Sequence, residues 1–118
     1  MPDPIRYAIL DHASEDSPIW ELAWSLNQIV GGRTVELHPR LPVKDVQPHL
    51  LDLLRERHVE VYPLEDPSGP SLSLEDALVV ASDEANWDAA TAKTRYGVVL
   101  TESGEREYRA EYEAARRG

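Results

Sequence analysis

The spacing of apolar residues in the middle of the chain predicts a helix that leads into a strand. The apolar side chains first recur at steps of three and four, as they do on one face of a helix, at Val43, Val46, Leu50, Leu53 and Leu54. Pro48 lies inside this pattern, so we expect the regular helix to begin there, with Gln47 at the cap position and a short turn before it. After this helix, the alternation at Val59 and Val61 predicts a strand that Pro63 ends.

The N-terminal third predicts two helices. Residues 4–13 follow helical spacing, although an alternating pattern in the same residues also allows a strand. From position 18 to position 30 the apolar residues again recur every three or four positions, and Gly31-Gly32 supplies a stop. We therefore predict a second helix over residues 18–30 as the central helix of the core. The connection up to residue 42 is expected to be irregular, with room for a short strand.

A loop rich in turn residues follows the first strand and contains a short predicted helix. Ser73 with Asp76 three residues later forms a start similar to a capping box, and the helix is expected to extend to Ala81. Residues 83–92 are expected to be irregular, with Trp87 as their anchoring side chain.

The chain closes with a second strand and a final helix. The composition of residues 96–101, YGVVLT, predicts the strand, and Thr101 is expected to cap a helix over about residues 102–116. This helix places Tyr108, Tyr112 and Ala115 on one face.

Charge and composition narrow the classes of function. The 118 residues include 22 acidic and 12 basic side chains, which gives a formal net charge of −10, and there are no cysteines. A DNA-binding domain needs a basic surface to neutralise phosphates, and this balance disfavours it. The absence of cysteine excludes disulfides and thiolate metal sites, and no apolar run approaches the ~20 residues that span a bilayer. We expect one soluble, cytoplasmic domain over residues 1–118.

Three segments resemble winged helix-turn-helix proteins, in particular PadR-type regulators. YAILDHASEDSPIWELA, at 7–23, resembles the opening of those regulators, where a first helix leads through a polar turn into a second. HLLDLLRERHVEVY, at 49–62, resembles their third helix running into the first wing strand. VVLTESGEREY, at 98–108, resembles the second wing strand and the capped helix after it.

The resemblance implies an α+β fold, in which a winged-helix-like single domain is mostly helical and has a small antiparallel wing sheet. The wing would be enlarged by an acidic insert at about residues 65–95, because eight acidic residues and no basic residue lie between Val59 and Ala92. The final helix of such regulators often dimerises. A homodimer through the C-terminal helix is therefore one expectation for its tyrosine face, and packing on its own domain is the other.

The predicted recognition helix does not have the charge of a DNA-binding helix. Residues 43–58 hold three basic and three acidic side chains, whereas a helix in the major groove presents donors to bases and phosphates. We therefore interpret the chain as a non-enzymatic, regulatory interaction module that binds a protein partner. The expected partner contacts are aromatic and acidic: Trp24, Trp87, Glu75, Asp76, Asp83 and Glu84. The tryptophans have a second interpretation as core residues in a protein without Phe.

The alternative interpretation is a DNA-binding transcriptional regulator that acts as a dimer. It would use the basic residues Arg33, Lys44, Arg55, Arg57, Lys93 and Arg95. A small hydrolase ranks last, because the sequence has no recognisable catalytic set. The four histidines are not at metal-ligand spacing, so no catalytic residue, metal or cofactor is predicted.

Overall fold

The computed structural model describes residues 4–23, 26–30, 33–38, 42–66 and 68–117. Four α-helices occur in this part of the chain: α1 (Pro4–Ala13), α2 (Val43–Arg55), α3 (Leu74–Ser82) and α4 (Glu102–Arg117). The strands are β1 (Ser17–Pro18), β2 (Leu26–Val30), β3 (Arg33–His38), β4 (Val59–Pro63) and β5 (Tyr96–Leu100). Two short 3₁₀ helices lie at Ile19–Glu21 and Glu84–Trp87. None of the helices described here is long and apolar enough to cross a membrane.

The predicted small antiparallel sheet is present, and we call it the wing sheet as a label only. Strands β4 and β5 pair antiparallel from Val59 opposite Leu100 to Pro63 opposite Tyr96, and β1 adds a short third strand on the other side of β5. The segment between β4 and β5 contains α3 and the second 3₁₀ helix, so the predicted insert at about 65–95 has the expected bounds. The α+β class and its small antiparallel sheet are therefore confirmed.

The prediction of a helix over residues 18–30 is wrong. Only Ile19–Glu21 is helical, as one 3₁₀ turn, and Leu26–Val30 forms strand β2. Strand β2 pairs antiparallel with β3, with Val30 opposite Arg33, so two glycines separate the paired residues. Consecutive glycines after a pair of β-branched residues favour a tight hairpin as well as a helix stop. Cross-strand pairing with β3 decides between these two outcomes.

Helix α2 begins five residues earlier than predicted. It runs from Val43 without interruption, and Pro48 lies within it. Proline lacks only the N–H that would bond the carbonyl of Lys44, and the helix continues because Val46 is fully buried and Gln47 is held by α3. The Gln47 side chain donates a hydrogen bond of 2.7 Å to the Ala81 carbonyl oxygen, so this residue joins two helices and does not act as a cap.

The other helix predictions are confirmed. Helix α1 has the predicted bounds, 4–13. The Ser73 hydroxyl accepts from the backbone N–H of Asp76 at 3.2 Å, which caps α3, and Thr101 accepts from the N–H of Gly104 at 3.0 Å, which caps α4. Side chains from α1, α2, α3, β4, β5 and both 3₁₀ helices share one buried apolar cluster. Its largest fully buried members include Ile9, Leu10, Ile19, Leu22, Leu50, Leu53 and Val61.

Candidate interaction surface on helix α3

The outer face of α3 brings together the acidic residues of the insert around one exposed apolar side chain. Val79 is 70% exposed, and it is the large apolar residue that the described part of the chain leaves open to solvent. Glu75 and Asp76 precede it by one helical turn, Asp83 lines the same shallow depression as Val79, and Glu84 begins the second 3₁₀ helix. All four acidic residues are exposed. We call this set, Glu75, Asp76, Val79, Asp83 and Glu84, the α3 face.

The orientation of the α3 face follows from how α3 packs on α2. Ala77 and Ala81 are buried, and their small side chains let the two helices approach until Gln47 reaches the Ala81 carbonyl. At about 100° per residue, Val79 lies some 200° from both alanines and so points away from the core. A shallow apolar depression beside it is lined by Leu78, Val79, Ser82 and Asp83.

Trp87 is not a surface anchor, contrary to the prediction. It is only 4% exposed, and its indole Nε1 donates a hydrogen bond of 2.8 Å to the Ala81 carbonyl oxygen. That oxygen also accepts from Gln47, so one carbonyl at the end of α3 joins α2 and the second 3₁₀ helix. The core interpretation therefore describes Trp87. Trp24 lies outside the described residues.

The basic residues of α2 share its solvent face with acidic ones. Lys44 and Arg55 are both exposed and lie about 16 Å apart along the helix, at 1.5 Å per residue. Asp45 and Asp52 are exposed on the same helix, and Arg55 lies 3.6 Å from the Asp52 carboxylate. The outer face of α2 therefore carries no net charge.

The remaining basic residues lie at the two ends of the wing sheet. Arg57 precedes β4 at the end where Val59 pairs with Leu100, whereas Lys93 and Arg95 precede β5 at the other end. Five strand residues separate these ends by about 13 Å at ~3.3 Å per residue. The Arg95 guanidinium lies over the Trp20 ring, 5.8 Å from its centroid. The side chain of Arg33 lies outside the described residues.

A network of charged and hydroxyl side chains joins α1, the end of α2 and the start of α4. The Arg6 guanidinium contacts Glu56 at 2.7 Å and Glu107 at 2.6 Å, and the other oxygen of Glu107 lies 2.6 Å from His58 Nε2. His58 Nδ1 lies 3.1 Å from the Ser103 hydroxyl. Burial lowers the pKa of Arg6, but its two carboxylate partners outweigh that effect and raise it. The hydrogen bond from Arg6 lowers the pKa of Glu56.

Ser, His and Glu side chains linked in this way are the residue types of a hydrolase triad, but here the network binds backbone atoms at the end of α2. The hydroxyls of Ser103 and Thr101 donate to the Arg57 carbonyl oxygen at 3.0 and 2.6 Å. His58 in turn receives the Thr101 N–H on its own carbonyl oxygen. The network therefore fixes the junction between α2, β4 and α4.

The tyrosines of α4 pack on the protein's own domain. Tyr108 lies 5.8 Å from Tyr7 and 6.1 Å from Tyr112 between ring centroids, and its hydroxyl donates to Asp11 of α1 at 2.7 Å. Burial is the main cause that raises the pKa of Tyr108, and burial followed by Asp11 raises the pKa of Tyr7 to about 12. Packing on α1 therefore accounts for Tyr108, and a homodimer through α4 stays a prediction.

Two further results bear on identity. The described residues contain no group of three or more His, Asp or Glu side chains that could hold a metal ion. Comparison with models of known protein families, with curated proteins and with solved structures found no match. The likeness to winged-helix regulators therefore rests on the three segments of sequence, and the second helix that such a domain places before its third is replaced here by a 3₁₀ turn and strand β2.

Sequence reasoning found the acidic residues of the α3 face but missed its apolar centre. Val79 is one of five consecutive apolar residues, Ala77–Ala81, and such a run does not indicate which side chain points outward. The helical angle measured from Ala77 and Ala81 would have placed Val79 outside. The roles of Arg6, Ser103 and Glu107 in the network had no local signal, because their partners are 45 to 101 residues away in sequence.

Proposed function

We propose that the protein is a non-enzymatic interaction module that binds a protein partner through the α3 face. One observation carries the proposal, namely the exposed Val79, with Glu75 and Asp76 one helical turn before it and Asp83 beside it. Exposed apolar side chains that are rimmed by polar residues are typical of protein-binding sites. The four carboxylates have no basic neighbour on α3, since the insert contains no Lys or Arg between Val59 and Ala92.

The chemistry of the α3 face fits a basic amphipathic segment. An apolar side chain of the partner would cover Val79, which is worth roughly 1.5–2 kcal/mol for a valine that becomes fully buried. Lys or Arg side chains beside it would meet Glu75, Asp76 and Glu84 as exposed ion pairs of about 0.2–1 kcal/mol each. The ion pairs would add specificity and speed association more than they add affinity.

The position of α3 supports a regulatory role for such binding. Helix α3 lies inside the enlarged wing between β4 and β5, and its buried side chains pack in the same core cluster as those of the sheet and α2. A partner bound to α3 would therefore affect the sheet and α2 through these core contacts.

The test is capture of partners by immobilised protein followed by mass spectrometry. The variant is Glu75→Lys with Glu84→Lys, and the matched control is Glu102→Lys with Glu113→Lys on α4. Both double variants change the net charge equally, and all four residues are exposed. Asp83 is spared because its carboxylate caps the second 3₁₀ helix at the N–H of Ala85.

We expect the wild type and the α4 control to capture the same basic protein, and the α3 variant to lose it. Val79→Ser should weaken the same capture without any change in charge. Equal capture by the α3 variant and the control, with unchanged thermal stability, would mean that the acidic insert is only a solvated surface.

The alternative function, DNA binding, has weaker support. Its predicted residues divide between α2 and the two ends of the wing sheet, and acidic side chains accompany them on α2. A phosphate-binding surface needs its cations on one face. For that reason we place DNA binding second.

A further inference from the structure

A cleft of about 270 Å³ opens between the end of α2, strand β4 and the start of α3. Its floor is apolar and includes the buried residues Leu54, Val59 and Ala77. Leu72 and Leu74 add apolar walls, and the rim is polar, with Arg57, Glu60, Ser73 and Thr101. An apolar floor with a few polar groups at the mouth is the usual composition of a small-molecule site. The cleft lies on the α2 side of α3, away from Val79.

Arg57 holds its position at this cleft with a strained backbone. Its φ angle is 61°, in the left-handed region, and it follows the last turn of α2. The N–H groups of Arg57 and His58 donate to the carbonyls of Leu54 and Leu53, the paired bonds of a Schellman helix end. Glycine is the usual residue there, because any other side chain costs about 1 kcal/mol or more in this conformation.

The strain is imposed from outside the helix. Thr101 and Ser103 both donate to the Arg57 carbonyl oxygen, and His58, the next residue, is bound by Glu107. Arginine therefore occupies a position that favours glycine, at the mouth of a cleft, and three neighbours fix its conformation. We interpret this as a sign that the arginine side chain itself has a function. Within the described part of the chain no carboxylate lies within ion-pair distance of the Arg57 guanidinium, in contrast to Arg6, Arg55, Arg106 and Arg109.

Arg57 is the basic residue among the side chains that line the cleft. The N-terminal end of α3, with its cap Ser73 and first residue Leu74, also lines the cleft, but Glu75 and Asp76 in the first turn offset the partial positive charge of a helix N-terminus. Glu60 is the acidic residue among the lining side chains, and it is exposed on the rim.

We propose that this cleft binds a small amphipathic anion, such as a short alkyl or aryl carboxylate. The apolar part rests on Leu54, Val59 and Leu72, and the carboxylate pairs with Arg57. The volume of about 270 Å³ is just below the ~300–1,000 Å³ of ordinary small-molecule pockets, which limits the ligand to a short chain or a single ring. This proposal is independent of the α3 face, since it concerns the opposite side of α3 and needs no protein partner.

The experiment is titration of the isotope-labelled full chain with sodium hexanoate, followed by backbone amide NMR shifts. Hexan-1-ol is the matched neutral probe. We expect hexanoate to shift the amides of Val59, Leu74 and Ala77, and to bind roughly three- to tenfold more tightly than hexan-1-ol, the range expected for one charge-assisted contact. Equal binding of the two probes, shifts at other residues, or no shifts at high millimolar hexanoate would overturn the proposal.

Three variants separate charge from folding. Arg57→Gly relieves the strained conformation, so it should raise the urea midpoint of unfolding by about 0.5 M. It also removes the charge, so it should weaken hexanoate binding by the same three- to tenfold factor. Arg57→Gln, which keeps the strain and removes the charge, should lose the same binding. Glu60→Gln removes the negative rim charge and should tighten hexanoate. Unchanged hexanoate binding in Arg57→Gln, or weaker binding in Glu60→Gln, would contradict the assignment of an anion.

Discussion

Replacement of Gly104 by alanine tests a close backbone approach, where α4 meets His58 just before β4. Alanine is favoured over glycine by about 1 kcal/mol inside a helix, so helix propensity alone predicts that Gly104→Ala stabilises the protein. The structure predicts the opposite. A Cβ atom on residue 104 would lie 1.8 Å from the carbonyl oxygen of His58 and 2.7 Å from its carbonyl carbon.

The surrounding bonds prevent an easy escape from this clash. An ordinary contact is about 3.4 Å, so the two backbones would have to separate by about 1.6 Å. The same His58 carbonyl accepts the N–H of Thr101 at 3.0 Å, and the His58 N–H donates to Leu53. Overpacking of this kind costs about 1–3 kcal/mol, and a lost backbone hydrogen bond adds about 1 kcal/mol. We expect a net loss of roughly 1–3 kcal/mol after the gain in propensity.

Urea unfolding followed by circular dichroism measures this difference. With a slope of about 1.5 kcal/mol per molar urea for a chain of this size, the midpoint of Gly104→Ala should fall by roughly 0.7–2 M. Ala110→Gly on the exposed side of α4 is the control, and it should cost about 1 kcal/mol through propensity alone. If Gly104→Ala is as stable as the wild type, the close approach of α4 to β4 does not exist and the reasoning fails.

Three other predictions concern the core, the pH dependence and DNA. Trp87→Phe removes the donor to the Ala81 carbonyl and leaves a small gap, so thermal or urea unfolding should show a loss of about 1–3 kcal/mol; a neutral result would contradict its buried place. The pKa of Tyr7 is raised to about 12 from an ordinary value of 10.0, so the folded state keeps a proton that the unfolded state releases. That part of the stability is complete below pH 10 and declines as the pH rises toward 12, and circular dichroism against pH should show a weaker decline in Tyr7→Phe. In fluorescence anisotropy with random-sequence duplex DNA at low salt we expect no binding, whereas binding that falls steeply with salt would move the DNA-binding alternative to first place.

The predictions that succeeded used signals within one element. The apolar spacing of α1 and α2 gave the buried faces, and the caps Ser73 and Thr101 gave the starts of α3 and α4, because a cap bonds an N–H only three residues away. The limits of the acidic insert were predicted from the two strand-like segments that flank it. Local sequence is enough for each of these features.

The predictions that failed depended on partners in other elements. The segment from Leu26 to Val30 has the spacing of a helix, but it forms β2 because β3 supplies hydrogen bonds to it. Helix α2 starts before Pro48 because burial of Val46 and the bond from Gln47 to α3 outweigh one missing N–H. Trp87 was open to both a core and a surface interpretation until its distance from Ala81 was known.

The sequence by itself determined the α+β class, the order of most elements, the acidic character of the insert and the neutral charge of the helix before it. These properties depend on composition and on spacing over a few residues. Only the tertiary structure decided that Val79 is exposed beside acidic residues, that the basic residues lie apart, and that Arg57 is held in a left-handed conformation at a cleft. Each of these results requires contacts between elements, and pattern along the chain does not encode which surfaces meet.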